Sequence, residues 1–257
     1  MTQYRGFALS SLTSEVVLTS NIEVALLENL RRCARYWLPY LTDYWATPDA
    51  IELQATEQVG QVNPDAGLVS VQIVPNFDGV PGTEGDLAYH DTDEFGRPRC
   101  RISWAAVKAN GGTMTGPLGL TVAISHELLE CLVDPTCKRT LSTVFGTLNP
   151  DGFDEPLEVC DRLQGSDYCE PTSPGIYVAN ATTPLYWGAH NGSNPMRLDI
   201  RGDVEAPAVL APFVQLPGGY YETLPDGQLH FGNRVTDATK ARLLRTGPRA
   251  GMRRARR

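Results

Sequence analysis

The sequence predicts an α+β fold: a mixed sheet packed on a long backing helix and on a second, enclosed helix with a polar stripe, followed by an irregular C-terminal extension. Three observations carry this. Gly67 to Pro75 contains Leu-Val-Ser-Val-Gln-Ile-Val, an almost unbroken apolar run that suits a strand covered on both faces. Ile22, Leu26, Leu27, Leu30, Cys33, Ala34, Trp37 and Leu38 recur at helical spacing. In the stretch 120–135, His126, Glu127 and Glu130 sit among Leu120, Val122, Ala123, Ile124, Leu128, Leu129, Cys131, Leu132 and Val133. Charges are costly in such a setting unless paired or metal-bound.

Taken in order, Val16 to Thr19 reads as a short strand. Ser20 with Glu23 forms a capping-box pattern that opens a helix running to Tyr36–Leu41, with Pro39 as its terminating kink. Ala50 to Ala55 and Gly67 to Pro75 read as strands, the second central. Asp86 to Asp91 and Pro98 to Trp104 form a further pair across the turn-rich Thr92-Asp93-Glu94-Phe95-Gly96. The order of backing helix, strands, outer strand pair and polar-striped helix resembles the N-terminal half of a zincin peptidase, and that resemblance implies Pro98 to Trp104 as the sheet edge, where a leading proline is tolerated. The glycine-rich Asn110 to Gly119 leads into the polar-striped helix, which Pro135 stops. Beyond it the chain is irregular, with a small hairpin expected around Asp226-Gly227 and a short helix over Asp237 to Arg245. No internal repeat or linker appears. The reading is one domain over 1–235, then a short helix and basic tail over 236–257.

Composition narrows the function classes. The net charge of −8 hides an asymmetry: residues Lys240 to Arg257 hold eight basic and no acidic side chains, leaving 14 basic against 30 acidic elsewhere. An acidic body disfavours nucleic acid, which only the tail is suited to touch. No membrane span or signal-peptide pattern is present, so nothing marks the chain for export by that route. Six cysteines without a C-x-x-C exclude a zinc ribbon. Cys33 and Cys131 read as core residues, and Cys160 and Cys169 as a pair able to bond in an oxidising compartment. No G-x-S-x-G, P-loop or dinucleotide fingerprint is present.

His126 and Glu130, four apart on a helix, point the same way, with Glu127 on the neighbouring stripe. This is the arrangement of the H-E-x-x-H zinc helix, with Glu130, an acceptable oxygen ligand, replacing the second histidine. Glu127 is then placed to accept a proton from metal-activated water. Catalytic zinc takes three protein ligands, and Glu158, 28 residues beyond Glu130, is the expected third. Asp161 is suited to holding the His126 ring through its second nitrogen. Asp134 and His90 are alternative ligands. Each has an ordinary alternative: a solvated carboxylate, a helix-ending aspartate, a hydrogen-bonded strand histidine. His190 and His230 lie in turn-rich sequence with no evident partner.

The series Trp37-Leu38-Pro39-Tyr40, Tyr89-His90-Asp91, Ser125-His126-Glu127-Leu128-Leu129-Glu130, Asp134-Pro135, Glu158-Val159-Cys160-Asp161 and Pro217-Gly218-Gly219-Tyr220 with Phe231-Gly232 resembles a group of zincin-like metallopeptidases. That group occurs mainly in bacteriophages and bacteria and is largely uncharacterised. The likeness spans roughly residues 20–235. It implies a zincin-like fold, a phage connection, zinc held by His126, Glu130 and Glu158, and Glu127 as general base acting on a protein or peptide substrate. A different class remains open: a virion or assembly protein that uses the fold as a scaffold and binds other virion proteins.

Overall fold

The computed structural model describes residues 3–41, 44–59, 67–78, 80, 83, 86–164, 169–173, 175–189, 197–202, 213 and 219–232. Its centre is a five-stranded mixed sheet of β1 (Gly6–Ser11), β2 (Glu52–Val59), β3 (Leu68–Val74), β4 (Ala88–Thr92) and β5 (Pro98–Ser103), ordered β2-β1-β3-β5-β4. The first four strands in that order run parallel, and β4 lies antiparallel on β5, with His90 opposite Cys100 and Asp91 opposite Arg99. The edges are therefore β2 and β4, not Pro98 to Trp104. Pro98 begins β5 beyond the first residue that β3 pairs, so its missing N–H costs that ladder nothing.

β1 replaces the strand expected at Val16 to Thr19. Every residue of Gly-Phe-Ala-Leu-Ser-Ser is buried, so no alternation marks it, and its serines bond to Val71 O and Thr13 O. Gly6 lies so close to β2 that a Cβ would collide with the backbone of Glu52. Residues 16–19 form a connector instead, with Val16 and Leu18 buried and Val17 exposed. Helix α1 (Ser20–Trp37) follows, and its cap is Thr19, whose Oγ1 accepts from Ile22 N, rather than Ser20. Leu38–Tyr40 continues as a 3-10 turn that accommodates Pro39.

Helix α2 (Trp104–Ala109), capped by Ser103, turns the chain off β5, and the glycine-rich connection leads into α3 (Leu120–Val133). α3 is the enclosed helix: its apolar residues pack on α1, β4 and β5, and Trp45 Nε1 donates to Leu132 O at 2.8 Å. The chain then forms α4 (Leu141–Phe145), a 3-10 turn Asp161–Leu163, and the hairpins β6 (Glu170–Ser173) with β7 (Ile176–Val178) and β8 (Tyr220–Thr223) with β9 (Gln228–Phe231). The last is the hairpin expected around Asp226-Gly227. Trp37 Nε1 donates to Thr182 O at 2.8 Å, and α1 and α3 both touch β7, so this irregular part shares the sheet's core. The helix expected at Asp237 to Arg245, the basic tail and His190 lie outside the described residues. No helix among the described residues is long and apolar enough to cross a membrane.

Candidate metal centre

Three elements bring ionisable side chains to one buried point: the middle of α3, the edge strand β4, and the segment 158–161 that returns past α3. On α3, one turn separates His126 from Glu130 and sets Nε2 3.2 Å from Oε1. Asp161 Oδ1 approaches the same Nε2 at 3.3 Å. It meets the nitrogen that faces Glu130 rather than the ring's second nitrogen, so Asp161 stands where a ligand would, not behind one. From β4, His90 turns inward while its neighbour Asp91 takes a two-point ion pair from Arg99. His90 Nδ1 lies 3.2 Å from Glu127 Oε2 and 3.7 Å from Glu130 Oε2. Glu130 thus offers one oxygen to each imidazole.

Among the described residues, two overlapping triplets place their ligand atoms within 4.8 Å of one another: His126 with Glu130 and Cys160, and His90 with Glu130 and Glu158. Glu158, the expected third ligand, therefore joins the His90 side of the cluster. Asp134 instead ties down the turn after α3: its carboxylate accepts from Lys138 N at 3.0 Å and Arg139 N at 2.9 Å. Outside the cluster, His230 stacks on Tyr221.

The cluster is dry. Glu130 is fully enclosed, Glu127 and His90 are 1 % exposed and Asp161 2 %, and one Glu158 carboxylate oxygen is enclosed although the residue is only partly buried. Burial pushes the Glu130 carboxyl up to about 8, with Glu158 and Asp161 adding to the rise and His126 opposing it. Burial alone would lower the His126 pKa, but the facing Glu130 and Asp161 carboxylates outweigh it and raise that pKa well above the ordinary value.

Three cysteines border the cluster, a feature that the sequence reading missed. Cys100 Sγ donates to Glu127 O at 3.6 Å, Cys137 Sγ to His90 O at 3.6 Å, and Cys160 Sγ to His126 O at 3.7 Å. Cys137 holds its contact from a left-handed backbone, φ 54°. Among the described residues no two cysteines are joined, so the Cys160–Cys169 pairing that the sequence left open is not formed here, and burial pushes the Cys160 thiol up. The position of Cys160 inside Glu158-Val159-Cys160-Asp161, a stretch already suspected of supplying ligands, was the available signal.

The donor set fits a divalent cation. Donors about 2.0 Å from a tetrahedral zinc stand about 3.3 Å apart, which matches the separations of His126 Nε2 from Glu130 Oε1 (3.2 Å) and Asp161 Oδ1 (3.3 Å). Imidazole and carboxylate suit zinc and neighbouring first-row metals. The chain was compared with protein-family models, curated proteins and solved structures, and none matches.

Proposed function

We propose that this protein is a zincin-like, metal-dependent hydrolase acting on an amide bond of a peptide or protein, with a phage connection. The observation that supports it most is the approach of Glu130 Oε1 and Asp161 Oδ1 to His126 Nε2 at 3.2 and 3.3 Å, beside Glu127 on the next stripe of α3. His126 and Glu130, with Cys160 or Asp161 as the third donor, would hold zinc, which when bound supplies Lewis acidity toward a carbonyl and makes water more acidic. Glu127 is the proton acceptor: its Oε2 faces His90 Nδ1 at 3.2 Å, which fixes the carboxylate's direction. A carboxylate ligand in place of a second histidine leaves the cation less positive, so water activation is weaker than at a two-histidine site.

The test begins with zinc content measured on untagged protein purified without chelators, beside His126→Ala/Glu130→Ala. About one zinc per chain or more, lost in the double variant, supports the site. A peptide-library screen follows with Glu127→Gln as control, and its activity should fall at least 100-fold, as for loss of a general base. A second reading is favoured by the depth of the cluster, since Glu130 is fully enclosed and Glu127 is 1 % exposed. On that reading the cation braces a scaffold that docks other virion proteins. Zinc that raises thermal stability while every peptide resists cleavage supports the scaffold.

A further inference from the structure

We propose that the cluster is a two-cation centre bridged by Glu130, with one divalent metal ion on the His126 side and a second on the His90 side. The inference rests on the reading that the cluster binds metal, and goes beyond it in number and in ligands.

The first argument is geometric. A carboxylate between two imidazoles can give both oxygens to one cation or one oxygen to each of two. In Glu130, Oε1 faces His126 Nε2 at 3.2 Å while Oε2 faces His90 Nδ1 at 3.7 Å, so the two oxygens are directed to different histidines. Each half has its own further donors. Asp161 approaches His126 at 3.3 Å, and Cys160 belongs to the same half. Glu158 completes the triplet with His90 and Glu130, and Glu127 stands 3.2 Å from His90. Three protein donors per cation is the number an open catalytic site uses.

The second argument is charge. Glu127, Glu130, Glu158 and Asp161 carry four negative charges when ionised, and neutral imidazoles contribute none. Burial makes several like charges at one point costly, and each divalent cation held among them lowers that cost. Paired metal ions that share ligands recur in hydrolytic enzymes, where they clamp both the attacking and the leaving oxygen, so the arrangement fits the reading it extends.

The experiment counts metal. Untagged full-length protein is stripped with a chelator, loaded with excess Zn2+, desalted and weighed by native mass spectrometry. A Mn2+-loaded sample is examined by electron paramagnetic resonance. Two zinc ions per wild-type chain, one in His90→Asn and one in Glu158→Gln, with a spin-coupled manganese signal at full loading, are the results expected. One zinc in the wild type overturns the two-cation centre and leaves the single-metal reading standing. No zinc overturns both. Two ions retained by both variants overturns the ligand assignment. The wild-type count decides even where a variant fails the circular-dichroism check for folding.

Discussion

Asp161 and Arg162 are adjacent in the chain yet belong to two buried charge clusters of opposite character. Arg162 pairs with Glu155, to which Asn149 Nδ2 also donates at 2.7 Å, and its guanidinium lies 3.6 Å from the centre of the Tyr221 ring, with Tyr186 and Trp187 beyond. One positive and one negative charge meet there, inside an aromatic wall that stabilises the cation further. Behind it, Gly219 approaches the Arg162 backbone so closely that a Cβ could not fit. On the other side, Asp161 joins three glutamates and two histidines. The first cluster pairs its buried charges within the protein and fastens the β8–β9 hairpin to the domain. The second gathers four carboxylates around two imidazoles, an imbalance that suits the proposed cation site.

The comparison breaks first under metal. His126→Ala/Glu130→Ala should abolish zinc binding and the gain in melting temperature that zinc produces, whereas Arg162→Met should leave the zinc count unchanged. Equal zinc in all three proteins would show that the imbalance has no bearing on ligands.

Next comes stability. Arg162→Ala leaves Glu155 buried without its cation and should cost about 3–5 kcal/mol in urea unfolding. The double change Arg162→Met/Glu155→Gln should cost less than Arg162→Ala, because no charge is then stranded. Parity between the two would mean that packing against the rings, not charge pairing, holds the hairpin.

The pH response should separate the clusters again. The Glu130 carboxyl rises from 4.5 to about 8 on folding, so between those values the folded chain holds a proton that the unfolded chain has released. His126 acts with the same sign: its contribution is full below its unfolded pKa and disappears as pH rises through the higher folded one. Metal-free protein should therefore lose melting temperature steadily from about pH 5 to pH 8, and Glu130→Gln should flatten most of that slope. With zinc present the trend should reverse, since ligands must shed their protons to bind. A metal-free melting temperature that climbs over this window would contradict the burial and charge argument.

The smallest effect is at Asp134, one helical turn beyond Glu130 but outside the cluster. Asp134→Asn weakens the hold on two backbone N–H groups and should cost about 1 kcal/mol with no change in zinc content.

Local signals made the helices legible. The spacing of Ile22 to Leu38 gave α1, and the apolar setting of His126, Glu127 and Glu130 gave α3 as an enclosed helix with a polar stripe. β3 was legible as a central strand because a strand buried on both faces reads as a continuous apolar run. β1 was not, because two of its six residues are serines and the glycine that permits its closeness to β2 reads as a turn former. The sheet edge was misplaced for a related reason: a leading proline is compatible with an edge, but only pairing partners decide which strand has one side bare.

By itself, the sequence determined the i, i+4 pair on α3, the glutamate beside it and the acidic stretch 158–161, because helical periodicity is a property of neighbours along the chain. Tertiary structure alone decided that His90 reaches the cluster, that Asp161 shares Nε2 of His126 with Glu130, and that Glu158 lies on the His90 side. These are contacts between residues 30 or more positions apart, set by how β4 and the returning segment pack on α3. No local pattern encodes such packing.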